Sequence, residues 1–132
     1  MNRIRTATTV TALAAALLAP ALAATPALAQ GGRPGVSASG ACSSAGTWEL
    51  KAKTDDPALI EVEFEVDTDV VGQTFSVRVT DGSTVVFSGR RTTVGRSGSF
   101  TVGRTTADRA GRDTIRATAT NGANVCSGVV RL

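Results

Sequence analysis

An all-β fold, seven antiparallel strands packed as a β-sandwich, follows from three observations. Apolar residues recur at every second position in several short runs. Turn-forming residues separate the runs at intervals of a few to about a dozen residues. No segment after residue 30 carries a helical period.

The leading residues belong to a different class. Arg3 and Arg5 precede an Ala/Leu/Val-rich run, and Ala27-Leu28-Ala29 offers the small residues of a signal-peptidase site. Residues 1–29 therefore read as a cleaved secretory signal peptide. Pro20 and Pro26 interrupt the run, which is short for a membrane span. Residues 30–41, rich in Gly, Ser and Pro, read as a flexible N-terminal arm. Residues 42–132 hold the β-sandwich domain.

Residues 47–54 place Trp48, Leu50 and Ala52 on one face and Glu49, Lys51 and Lys53 on the other. Asp55-Asp56-Pro57 turns the chain. Residues 59–67 give the clearest strand: Ile60, Val62, Phe64 and Val66 alternate with Glu61, Glu63, Glu65 and Asp67. Phe75, Val77 and Val79 form the inward set of the third strand, and Asp81-Gly82 marks a hairpin. A three-residue loop ending at a left-handed Gly82 would pair Val77 with Val85 and Phe75 with Phe87, burying Phe87 and leaving Val86 outside. A polar loop over residues 89–98 leads to a short strand with Phe100 and Val102 inward. A turn-rich connection, a strand with Ile115, Ala117 and Ala119 inward, the turn Asn121-Gly122 and a last strand through Cys126, Gly128, Val130 and Leu132 complete the chain.

Removal of the leader takes the formal charge from +3 to +1. An exported, nearly neutral chain is a poor candidate for nucleic-acid binding. The charge is unevenly spread. Residues 42–82 hold nine acids and three bases, a balance of −6, and residues 83–132 hold eight bases and two acids, a balance of +6. Cross-strand pairing would neutralise these charges; a polarised surface for a charged partner is the alternative. Cys42 and Cys126 are the only cysteines. In an oxidising compartment they form one disulfide between the start of the fold and its last strand.

The segment Ala107-Asp108-Arg109-Ala110-Gly111-Arg112-Asp113 resembles the corner before the penultimate strand of immunoglobulin-like domains, where an Asp-x-Ala-Gly-x-Tyr pattern carries the chain between sheets. Asp108, Ala110 and Gly111 match, and Asp113 stands where Tyr is expected. The resemblance implies an immunoglobulin-like sandwich. The mature chain also resembles a group of small secreted proteins of high-GC Gram-positive bacteria. Trp48-Glu49-Leu50-Lys51-Ala52-Lys53, Gly72-Gln73-Thr74-Phe75, Ser97-Gly98-Ser99-Phe100 and both cysteines carry that likeness. It implies secretion and a β-sandwich, and it brings no catalytic residues.

Chemistry-bearing motifs are few. The chain has no His, which removes Ser-His-Asp and Cys-His arrangements and the usual zinc ligands. Glu61, Glu63 and Glu65 repeat on one strand face, where alternation explains them better than a catalytic cleft does. Asp67-Thr68-Asp69, with Asp55 and Asp56, offers oxygen ligands for calcium, although Asp in turns has its own backbone chemistry. No cofactor is implied. Arg90, Arg91, Arg96 and Arg104 surround two Gly-rich loops and form the candidate partner-binding cluster, suited to an anionic cell-wall polymer or an acidic protein. The expected function is a non-catalytic binding or interaction module, secreted and extracellular or held at the cell wall. An inhibitor of a secreted hydrolase is the second expectation.

Overall fold

The computed structural model describes residues 34–132. The signal peptide expected over residues 1–29 and residues 30–33 of the expected arm lie outside the described residues. Eight antiparallel strands form two four-stranded sheets. They are β1 (Val36–Ala41), β2 (Thr47–Asp56), β3 (Leu59–Asp67), β4 (Thr74–Asp81), β5 (Thr84–Thr92), β6 (Ser99–Ala107), β7 (Thr114–Thr120) and β8 (Val125–Arg131). The first sheet has the order β1-β2-β3-β6 and the second β5-β4-β7-β8. The chain crosses between sheets at β3–β4, β5–β6 and β6–β7. Immunoglobulin-like sandwiches divide their central strands in this way.

Alternation builds the core. Leu50, Phe64, Phe75, Ile60 and Ile115 are fully buried between the sheets, and the Phe75 and Phe100 rings meet at 5.7 Å between centroids. A Phe64→Ala change would leave a cavity at this centre and cost about 3–5 kcal/mol.

Two expectations need correction. The flexible arm does not extend to residue 41, because Val36–Ala41 pairs with β2 from Val36↔Ala52 to Ala41↔Thr47, so the sandwich begins before residue 42 and has eight strands where seven were expected. Cys42 therefore follows the first strand. Alternation holds in this segment too, with Val36, Ala38 and Gly40 inward, but those side chains are too small to make a visible hydrophobic period. The β4–β5 hairpin also differs. Its loop is Gly82 and Ser83 alone, between Asp81 and Thr84, and a bulge follows at Val79/Thr80. Val79 then pairs with Phe87, and Thr80 with Val85. The extra residue restores the inward phase that a longer loop was expected to supply. Phe87 faces inward but is half-buried, as is Val86, while Val85 is 46% exposed.

Three side-chain groups close the sandwich where the backbone ladders do not. At the β1/β8 side, Cys42 and Cys126 are bonded, with Cα atoms 4.3 Å apart. Trp48 lies between Gly40 and Gly128 there. At the β5/β6 side, Phe87 folds over Gly89, and the guanidinium groups of Arg91 and Arg104 stand 4.5 and 4.8 Å from its ring centroid. Inward-pointing cations on edge strands protect an open seam from pairing with another chain.

At one end, the corner resembling the immunoglobulin pattern carries carboxylates in place of Tyr. Asp81 and Asp113 are 4% and 5% exposed. Register explains the meeting: Asp81 lies opposite Ile115, and Asp113 precedes β7 on the same inward phase. Arg109 Nη1 donates to Asp81 Oδ2 at 2.8 Å. Asp113 Oδ2 has no hydrogen-bond partner among the described residues. Burial raises the Asp113 pKa above its ordinary 3.8, and the neighbouring Asp81 and Asp108 carboxylates raise it further. The folded state thus holds this proton more tightly than the unfolded state. Its stabilising effect is complete below pH 3.8 and is lost as pH rises through the folded value. Asp113→Asn is expected to be more stable than the parent at pH 7 and to approach it near pH 3.5. Urea midpoints across that range test this, and a variant less stable at pH 7 would contradict it.

Candidate functional site

The fold distributes the four sequence-predicted arginines over three places. Arg91 and Arg104 point inward to Phe87. Arg91 Nη1 also donates to the Arg90 carbonyl at 2.9 Å, and Arg104 Nη1 to the Gly103 carbonyl at 2.7 Å. Arg96 sits exposed on the β5–β6 turn. Arg90 alone lies on the outer face of the second sheet, opposite Ser76.

That outer face is the larger cationic feature. Phe75, Val77 and Val79 occupy the inward phase of β4, so Ser76, Arg78 and Thr80 face out. The same alternation puts Arg90 of β5, Arg116 of β7 and Arg131 of β8 outward and exposed. Their outward neighbours are mostly hydroxyl side chains: Thr74 and Thr92, whose Oγ1 atoms are 2.9 Å apart, then Ser88, Thr118 and Ser127. Among the described residues, no carboxylate forms an ion pair with Arg78, Arg90, Arg116 or Arg131.

The glutamates lie on the opposite side of the molecule. The outer face of the first sheet carries Glu49, Glu61, Glu63 and Glu65 with Lys51 and Lys53. Lys51 Nζ reaches Glu49 at 2.9 Å and Glu63 at 3.6 Å, and Lys53 Nζ reaches Glu61 at 3.1 Å. The hydrogen bond that Lys51 donates to Glu49 raises the Lys51 pKa above its usual value. A shallow groove of about 720 Å³ crosses this face between Gly35 and Gly103. Its two lysines are already neutralised by neighbouring carboxylates. The opposed balances of the two chain halves are therefore not cancelled by cross-strand pairing. Four glutamates against two lysines leave the outer face of the first sheet acidic, four arginines make that of the second basic, and the aspartates lie at strand ends and in turns.

The candidate calcium residues are divided by the fold. Asp55 and Asp56 lie at one end of β3 and Asp67 at the other. Asp67 Oδ1 accepts from the Asp69 amide at 3.2 Å, and Asp56 Oδ1 from the Ala58 amide at 2.8 Å, so both serve turns. Among the described residues, no group of three or more metal-ligating side chains stands together.

The loops at the Asp67 end are tied together. Thr68 and Thr93 are buried, and Thr93 Oγ1 donates to the Val70 carbonyl at 2.6 Å while accepting from the Gln73 amide at 2.9 Å. Gly98 adopts φ 62° beside the Val70 backbone, where a Cβ would stand 2.7 Å from the Val70 oxygen. Val70, Val71 and Val94 are left 49–60% exposed on this braced tip.

Arg78, Arg116 and Arg131 escaped the sequence reading as site residues. Alternation alone places each outward, but their grouping depends on pairing between strands distant in sequence. No helix among the described residues is long and apolar enough to cross a membrane. Comparison of the chain with protein-family models, with curated proteins and with solved structures finds no match.

Proposed function

We propose that this chain is a secreted, non-catalytic binding module that holds an anionic cell-wall polymer on the outer face of its second sheet. The observation that carries the reading is the set of exposed guanidinium groups at Arg78, Arg90, Arg116 and Arg131, without an ion-paired carboxylate among the described residues. Guanidinium groups suit phosphate and carboxylate through paired N–H donors. Neighbouring hydroxyls add donors and acceptors without charge. The Cys42–Cys126 bond fits an oxidising destination, as the leader expected from residues 1–29 does. The acidic face would turn away from such a polymer and fix which side of the module meets the wall.

The test is retention of the mature protein on an anionic wall fraction. Replacing all four arginines with Ala should weaken retention at least tenfold and leave thermal unfolding unchanged, because the side chains are exposed. Arg96→Ala should change little. Unaltered retention of the quadruple variant would reject the face.

A protein-inhibitor role draws on a different observation, the braced loop tip with exposed Val70, Val71 and Val94. Loss of a secreted hydrolase's activity on addition of the quadruple variant would favour that role.

A further inference from the structure

The four outward arginines form a line. Arg90 lies opposite Ser76, and Arg78 is two residues further along β4. Arg78 lies opposite Thr118, and Arg116 is two residues further along β7 in the same direction. Arg116 lies opposite Val129, and Arg131 is two residues beyond it on β8. Each step moves one strand across and two residues along. With strands about 4.8 Å apart and a rise of about 3.3 Å per residue, the step is about 8 Å and the line about 25 Å long. Parallel diagonals of hydroxyls flank it: Thr92, Ser76 and Thr118 on one side, and Ser88, Thr80 and Thr114 on the other.

The geometry points to a linear phosphodiester chain with a short polyol spacer as the ligand, laid along this diagonal with successive phosphates near successive arginines. This rests on the anionic-polymer reading above. A three-carbon diester separates its phosphorus atoms by six bonds, and an extended chain advances about 3.6 Å per three bonds, so charges recur at about 7 Å. Flexible arginine side chains absorb the remaining ångström. The flanking hydroxyls meet the free hydroxyls of the polyol. Single-stranded nucleic acid has a comparable phosphate spacing, but this face has no aromatic side chain on which bases could stack.

Synthetic glycerol-phosphate oligomers of two to eight repeats provide the test, with affinity measured by calorimetry. Affinity should climb steeply up to four or five repeats and then level off as the line is filled. The logarithm of affinity should fall with the logarithm of salt at a slope of about −3, as four phosphate contacts on a single strand require. A charge-conserving variant, R78S/S88R/R116T/T120R, keeps the net charge and breaks the line. It should bind the eight-repeat oligomer at least tenfold more weakly and lose the length threshold. Equal binding by parent and shuffled variant would overturn the linear site while leaving an anion-binding face in place. Tighter binding of a uronate polymer, or of an oligothymidylate of matched length, would overturn the polyol-phosphate assignment. Failure of the parent to bind any polyanion would defeat the proposed function itself.

Discussion

Cys42→Ser should lower the free energy of unfolding by about 4–5 kcal/mol. The bond spans 84 residues of sequence, and closing so long a loop restricts the unfolded chain by about that amount. A small domain has about 5–15 kcal/mol in total, so the variant should stand close to its threshold. The folded geometry should survive, because the segment after Cys42 has a second set of ties. Asn124 Nδ2 donates to the Ala45 carbonyl at 2.6 Å, its Oδ1 accepts from the Ser44 amide at 2.9 Å, and the Ser43 amide donates to the Val125 carbonyl at 2.8 Å. Cys126→Ala and the double variant Cys42→Ser/Cys126→Ala should lose similar amounts, since all three remove one bond. Urea unfolding measures this, and a loss below about 1 kcal/mol would show that the hydrogen-bonded segment, not the disulfide, secures the β1/β8 side.

Gly128→Val is the second large effect, expected to cost about 3–5 kcal/mol. Any Cβ at Gly128 would stand 2.6 Å from Cη2 of Trp48 and closer still to Cζ3. The opposite wall is also close, since a Cβ on Gly40 would lie 3.0 Å from Cζ2. The indole has no room to slide between the sheets and must leave its seat. The cost should therefore approach that of deleting the Trp side chain. Trp48 is the chain's single Trp, so its expulsion should red-shift the fluorescence of the folded protein. Combining Gly128→Val with Trp48→Ala should cost far less than the sum of the two single changes, because both empty the same site. Additive costs with unshifted emission would contradict the packing.

The elements that the sequence reveals are those with large alternating side chains. Ile60, Val62, Phe64 and Val66 specify β3 without outside help, and Phe75, Val77 and Val79 do the same for β4. Strand β1 is hidden because its inward residues are Val36, Ala38 and Gly40; it becomes a strand through pairing with β2 and packing beside Trp48. The bulge after Gly82 is hidden because Val85, Val86 and Phe87 fit more than one register by hydrophobicity alone. The carboxylate corner was visible as a departure at Asp113, but its partner Asp81 comes from a distant hairpin.

The candidate site was legible as a charge imbalance and not as an address. Arginine-rich loops suggested grouping Arg90, Arg91, Arg96 and Arg104 by proximity in sequence. The fold instead turns Arg91 and Arg104 inward to cover a seam and gathers Arg78, Arg90, Arg116 and Arg131 from four strands. Side-chain phase decides the first outcome and inter-strand register the second. The first can be read from alternation along one strand, and the second depends on strands distant in sequence.

The most direct measurement is residue-resolved mapping by NMR, titrating the isotope-labelled protein with a glycerol-phosphate oligomer. Binding should shift the amides of Ser76, Arg78, Arg90, Arg116, Thr118 and Arg131 and leave Lys51, Glu63 and the Val70–Val94 tip unmoved. Shifts confined to the acidic face or to the loop tip would contradict the assignment of function to the arginine face.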